Sequence, residues 1–314
     1  IRGKNNLRAT DNDKSSLEPL IVLDGVIYSG QMTDINPNDI EQIDILKDAS
    51  STAVYGAKAA NGVVLITTKK GTGSKKPVIN FSGTWGLSMV NSLPDVYEGE
   101  DFINFRRDVE LSKDPTKAAQ GYFNNPAYMT NTELAAWMGN SKGDPTKEYL
   151  TRLELTSTEV ANYLAGRTVD WRDVIYQDVA LRQDYTVSVA GKKDEMSYYS
   201  SVNYLKNESN VRGAGYSAIR ARINLENKVQ SFLTYGVNAQ FTSRDEGYTG
   251  NDTGYYSSLS PYGSIYEEDG TTLKYYPTGN NNQINPLVTP AYTAKRNDIE
   301  NLNASIYMKI NLPL

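Results

Sequence analysis

The sequence contains neither cysteine nor histidine. Their absence excludes a Ser-His-Asp triad, a thiol nucleophile, a thiolate or imidazole zinc site and haem ligands of those kinds. Glycosidase-like carboxylate pairs and oxygen-ligand sites for Ca²⁺ or Mg²⁺ survive that cut. No constellation of either sort stands out, so no catalytic residue, metal ligand or cofactor is assigned. The acidic run Glu267-Glu268-Asp269 reads as a solvated loop face. Long apolar runs are also missing. Even an obvious one such as Val63-Val64-Leu65-Ile66 falls far short of the about 18 residues of a transmembrane helix. Nor is there an excess of positive charge, with 32 basic residues against 37 acidic and a net charge of −5. A nucleic-acid binder needs a clustered basic surface, so nucleic acid is not an expected partner. The short stretch Lys69, Lys70, Lys75 and Lys76 reads as a solvated linker. The chain opens at Ile1-Arg2-Gly3 without a Met or a signal peptide, and residue 1 is expected to lie inside a longer gene product.

What is present is tyrosine, 23 residues against only 6 phenylalanines, beside abundant Gly, Asn, Ser and Thr. Tyrosine suits an interface that is apolar on one side and wet on the other, as at the rims of membrane β-barrels. The length of 314 residues fits two domains or one large all-β domain.

The first 71 residues read as a small mixed α/β unit. Pro19-Leu20-Ile21-Val22-Leu23 is a buried strand turned by Asp24-Gly25, and Asn36-Pro37-Asn38-Asp39 opens a short helix. Ile43, Ile45 and Leu46 fit a second strand. Asp48 is placed to cap a helix over Ala49 to Tyr55 with Gly56 as its stop, and Asn61-Gly62 turns into a strand over Val63 to Thr68.

After residue 76 the pattern changes to period two. Ile79–Met89 alternates apolar with small polar residues, as do stretches around Tyr185–Val189, Met196–Tyr204, Ile219–Leu225, Leu233–Phe241 and Leu302–Leu312. Six strands with one apolar and one polar face fit a soluble sandwich or a membrane barrel. Their length of about ten residues favours the barrel. So does the alternation of tight turns at 191–195 and 228–231 with long connections at 90–184, 206–216 and 244–300. Within the first long connection, residues 97–113 fit an amphipathic helix, and Thr156 with Glu159 forms a capping box before Val160 to Ala165.

Three blocks, Pro19–Val26 (PLIVLDGV), Ile35–Gly56 (INPNDIEQIDILKDASSTAVYG) and Ala59–Gly71 (AANGVVLITTKKG), resemble the plug of the SusC/RagA family of TonB-linked outer-membrane transporters. The resemblance implies a mainly β fold, a small α/β plug followed by antiparallel transmembrane barrel strands. Residues 1–71 would be the C-terminal part of the plug, 72–76 a linker and 77–314 the first six strands. It further implies an outer-membrane importer of an oligosaccharide or oligopeptide, without enzymatic activity, partnered by a SusD-like surface lipoprotein. TonB would act through a segment upstream of this chain, and the polypeptide is expected to continue past Leu314, because six strands cannot close around a plug. A siderophore or vitamin receptor, or a non-transporting glycan-binding adhesin, are the alternatives.

On this reading the apolar strand faces meet membrane lipid. Phe81, Trp85, Tyr185, Tyr204, Tyr235 and Phe241 should point outward, and Asn80, Thr84, Arg220, Arg222 and Gln240 inward. Buried beside the plug, two arginines need carboxylate or carbonyl partners, for which Asp39, Glu41, Asp44 and Asp48 are candidates; arginines solvated by lumen water are the equal alternative. The expected plug–barrel contacts are therefore Asp44, Asp48, Arg220 and Arg222. Substrate contact is expected from the tyrosine- and asparagine-rich connection 244–300, at Tyr248, Tyr255, Tyr256, Tyr262, Tyr266, Asn280 and Asn281. Tyrosine offers a flat face and a hydroxyl, and asparagine both donor and acceptor.

Overall fold

The computed structural model describes residues 19–47, 53–59, 61–71, 76–247, 256–281, 283–292 and 297–312. A four-stranded sheet forms first, from β1 (Leu20–Leu23), β2 (Val26–Ile27), β3 (Ile40–Leu46) and β4 (Val63–Thr68), in the order β2-β1-β4-β3. β1 and β4 run parallel and the other pairs antiparallel. The β1–β2 hairpin turns on Asp24 and Gly25, both at positive φ (50° and 88°), as a two-residue turn of this hand requires. Asn36 caps a 3-10 turn at Pro37–Asp39, its side chain accepting the Asn38 N–H. The core is Val22, Leu23, Ile35, Val63 and Ile66, all nearly free of solvent. The helix expected from Asp48 begins outside the described residues. The segment Ala53–Ala59 is 3-10 and kinks at Gly56 (φ 65°) rather than stopping there.

The second sheet is a six-stranded antiparallel meander of β5 (Val78–Met89), β6 (Val179–Lys193), β7 (Met196–Glu208), β8 (Gly215–Gln230), β9 (Leu233–Asp245) and β10 (Asp298–Ile310). β6 and β7, and β8 and β9, are joined by turns of two residues, and the sheet stays open with β5 and β10 at its edges. Its two faces differ as the period-two pattern requires. Phe81, Trp85, Tyr204, Tyr235 and Phe241 are exposed on the outer face. Tyr185 lies among them half-buried, its hydroxyl accepting the Trp85 indole N–H at 2.5 Å. Arg220, Arg222 and Gln240 are buried on the inner face, against the small sheet. Asn80 lines a cavity with Asn38 and Lys69 on that face, while Thr84 is exposed on the edge strand.

Between β5 and β6 the chain builds a helical insert: α1 (Gly99–Lys113), α2 (Pro115–Ala119), α3 (Asn131–Met138), α4 (Pro145–Arg152), α5 (Ser157–Leu164) and α6 (Trp171–Ile175). Thr156 and Glu159 make the expected reciprocal capping box at α5. α3 carries a second one, Thr130 with Glu133. The insert has its own core of Ile103, Phe123, Tyr149, Leu150, Leu153, Leu155 and Val160. A last short helix, α7 (Val288–Tyr292), precedes β10.

Candidate functional site

The inner face of the wall is laid out in belts, because the strand register aligns inward residues across neighbours. One belt runs Thr186, Asn203, Arg220, Thr242; the next Ser188, Ser201, Arg222, Gln240; the third Ala190, Tyr199, Asn224, Asn238. Arg244 sits one belt beyond Arg220, across from Ala218 and Leu205. Every second residue of a strand advances about 6.8 Å, so four belts cover roughly 20 Å of height.

The small sheet meets these belts through buried polar contacts. Arg222 donates from Nη1 to Asp24 Oδ2 (3.3 Å) and to Thr68 Oγ1 (3.3 Å), donates from Nη2 to Gln240 Oε1, and has Nε 3.8 Å from Asp39 Oδ2. Arg244 Nη1 pairs with Asp34 Oδ1, and its Nε donates to Glu246 Oε1 at 3.0 Å. Arg220 donates to Asn203 Oδ1 (2.8 Å) and to the Thr33 carbonyl (2.7 Å). Asn224, Gln240 and Thr242 donate to the carbonyls of Lys69, Asp34 and Asp34, and the Tyr199 hydroxyl donates to Asp39 Oδ1 at 2.7 Å. Asp24 also holds its own sheet, accepting the Thr68 N–H and hydroxyl at 2.9 and 2.8 Å. Burial, and then the Asp34 carboxylate, push the Tyr28 hydroxyl up to about 12, so it stays protonated in its contact with Gln240.

Arginines on the wall thus face aspartates on the small sheet, and a charge removed from water is tolerable only when paired in this way. Arg222 is one of the two arginines singled out from the sequence, and its carboxylate partners are Asp24 and Asp39. Among the described residues Arg220 reaches no carboxylate and uses a carbonyl and an amide instead. Asp44 is not a contact: it is exposed and accepts only from Gln42 of its own strand. β3 leaves residues 41–45 exposed on both faces, so water solvates its charge. Asp48 lies outside the described residues. Sequence reasoning missed Asp34, Arg244 and Asp24. Arg244 continues the inward series Asn238, Gln240, Thr242, and that parity was the available signal.

The tyrosine-rich connection divides differently. Tyr248 and Tyr255 lie outside the described residues. Tyr256 and Tyr262 are 6% and 4% exposed, and both are packing residues rather than free binding surface. Tyr256 stands edge-on to Tyr176 (5.8 Å between centroids) in a cluster with Trp171, Ile175 and Leu259. Tyr262 packs edge-on to Tyr163 (5.2 Å) and Phe102 (6.1 Å) in the core of the helical insert. Burial raises both hydroxyls above the usual tyrosine value. Hydrogen bonds fasten the same docking: Trp171 Nε1 donates to the Ser260 carbonyl (2.8 Å), and Asn162 Nδ2 to the Tyr262 carbonyl (2.8 Å). The connection is thereby bound to the insert, burying the apolar rings that composition alone had offered to a ligand. Tyr266, Asn280 and Asn281 are exposed, Tyr266 in an isolated bridge with Leu273. No cluster of three or more acidic side chains able to hold a metal occurs among the described residues.

Comparison with known proteins places these features in context. A family model described as TonB-dependent Receptor Plug Domain matches residues 1–63. TonB-dependent receptor P26 of Formosa agariphila is 28% identical over 314 residues, covering 98% of this chain and 27% of that protein. TonB-dependent receptor SusC of Bacteroides thetaiotaomicron is 26% identical over 326 residues, again 98% of this chain and 27% of that protein. The RagAB peptide importer in its open-open state superposes with a TM-score of 0.63 at 22% identity, over 94% of this chain and 32% of that one. In its closed-closed state the TM-score is 0.64 at 24% identity, over 94% and 33%. The chain therefore spans about a quarter of the length of the curated relatives it matches.

Proposed function

We propose that this SusC/RagA-like chain, a plug and adjoining barrel strands of a TonB-dependent transporter type, belongs to a protein that imports a large nutrient across an outer membrane. Its substrate is an oligosaccharide or an oligopeptide, and a SusD-like surface lipoprotein caps the barrel. The small sheet, residues up to 71, is the plug, and β5 to β10 are the first strands of the wall, their exposed apolar face turned to lipid. The tight turns lie on the periplasmic rim, and the helical insert and the connection before β10 lie outside.

The observation that carries this reading is the plug–wall interface. A permanent internal domain would be held most simply by apolar packing. Here buried ion pairs and amide-to-carbonyl bonds hold it, strong while dry, and water can take over each partner once the whole interface opens to solvent. Transport is then binding plus gating. Substrate and lipoprotein bias the plug between two arrangements, and TonB, acting on a segment ahead of this chain, supplies the pull. The chemistry needed is reversible docking, which the present residues supply without a catalytic group.

The test is uptake. Deleting the gene should abolish growth on one polymer or peptide class while the lipoprotein alone still binds it at the surface. Undiminished growth on every glycan and peptide bound by that lipoprotein would refute the proposal.

A further inference from the structure

We propose that the helical insert carries a binding site of its own for a neutral oligosaccharide, in the cleft between α1, the α2–α3 connection and α3. The cleft has a volume of about 660 Å³, within the roughly 300–1,000 Å³ of small-molecule sites. No residue of the small sheet or the wall lines it, so it is separate from the plug–wall interface.

Its chemistry is that of a sugar site. Trp137 lines the cleft with its orientation fixed twice over. Its indole N–H donates to the Tyr122 carbonyl at 3.0 Å, and the Arg152 guanidinium lies 3.7 Å from its ring centroid. Tyr128 stands on the rim, 88% exposed, a second aromatic face with nothing packed over it. A rigid ring and an open ring on one cleft suit the apolar faces of pyranose units. Between them lie amides, which supply both donors and acceptors for hydroxyls. Gln120 and Asn124 are two of these. Asn125 uses its carbonyl oxygen on the Ala127 N–H (3.0 Å) and keeps its amide N–H groups to donate. The turn at Gly121, φ 70°, brings Asn124 into place.

The charges in the cleft select among sugars. Arg107 and Glu133 both line it, one of each sign, which favours a neutral ligand over an anionic one. Glu133 is already committed through Oε2 to the N–H and hydroxyl of Thr130. Arg107 is likewise paired, its Nη2 donating to Asp108 Oδ1 at 3.3 Å. A peptide would be expected to seek an open strand edge or a dominantly apolar groove, and the cleft offers neither.

The test uses the purified full-length receptor in detergent. Maltohexaose, cellohexaose, laminarihexaose, xylohexaose and mannohexaose are each titrated to millimolar concentration, beside a pool of short unstructured peptides, with calorimetry and tryptophan fluorescence as readouts. At least one hexaose should bind and change the fluorescence, and Trp137→Phe should remove that change. Tyr128→Ala and Asn124→Ala should each weaken the affinity about fivefold. Tyr128 is so exposed that its truncation leaves the fold intact, which circular dichroism checks. The proposal is overturned if no hexaose binds, if the peptide pool displaces the hexaose, or if affinity is unchanged in the Tyr128→Ala/Asn124→Ala double variant. The last result would assign the binding to the lumen and leave the transport reading standing.

Discussion

Replacing Arg222 with alanine tests whether ion pairs hold the plug. Arg222 Nη1 is 3.3 Å from Asp24 Oδ2, and Nε is 3.8 Å from Asp39 Oδ2. At an effective dielectric of about 20, the gross attraction is roughly 5 kcal/mol for the first pair and somewhat less for the second. Desolvation of the guanidinium opposes these, so the pair itself is worth much less than their sum. Truncating one partner has a different cost. Asp24 and Asp39 would remain buried without a counter-charge, and such a loss costs about 3–5 kcal/mol. That corresponds to an opening equilibrium raised by two to nearly four powers of ten. Amide exchange of Val63–Thr68 reads it directly, since Thr68 N donates to Asp24 Oδ1. The strand should exchange faster by about that factor in Arg222→Ala, and part of the protection should return on adding Asp24→Asn. Exchange within about threefold of wild type would mean that water fills the vacated site at little cost, and the electrostatic account of docking would fall.

Tyr262→Ala should release the connection from the insert at about 3–5 kcal/mol, seen as new proteolytic cleavage between 256 and 292, without a change in plug exchange. Arg172 donates to the Asp170 carboxylate and holds it below its ordinary value of 3.8. That stabilisation of α6 is fully present above about pH 4 and is lost as pH falls through the lowered folded value, so Asp170→Asn should flatten acid unfolding of the insert below about pH 4. Gly71→Ala should displace the strand-to-wall passage, because a Cβ there would collide with the Gly191 carbonyl and the Tyr198 backbone nitrogen. Loss of plug protection without loss of wall protection is the expected exchange pattern.

The six wall strands were legible because period-two alternation is written in adjacent residues and needs no partner to be read. The inward placement of Arg220 and Arg222 comes from the same parity. Their partners were not legible. Asp24 reads as a turn residue and Asp34, which the structure sets in a 3-10 turn at Met32–Asp34, carries no reading of its own, and local signals do not tell which belt a turn will meet. Asp44 sits in the strand Ile40–Leu46, where period two gives two faces but not that residues 41–45 stay exposed on both. Thr156 and Glu159 marked α5 correctly, since a capping box is local. Thr130 and Glu133 make the same box at α3, a signal equally present in the sequence. The tyrosines of the last connection show the limit of composition. A ring suited to a ligand is equally suited to a core, and only the packing of Trp171 and Phe102 against them decides.

The belts also define a load path. Plug residues 33–34 engage the belts of Arg244 and Arg220, residues 24, 39 and 68 that of Arg222, and residues 69–70 that of Asn224 and also Glu226, two residues further along β8. Contacts stacked along the strand direction share a pull applied in that direction, as rivets share shear. A pull applied across it loads them one belt at a time, as in peeling. The same bonds therefore form a stiff joint or a compliant one according to the angle of the tether. In single-molecule extension, pulling along the strands should give one high rupture peak and pulling across them a series of low ones. On the transport reading proposed above, the direction of the pull then governs gating as much as its size does.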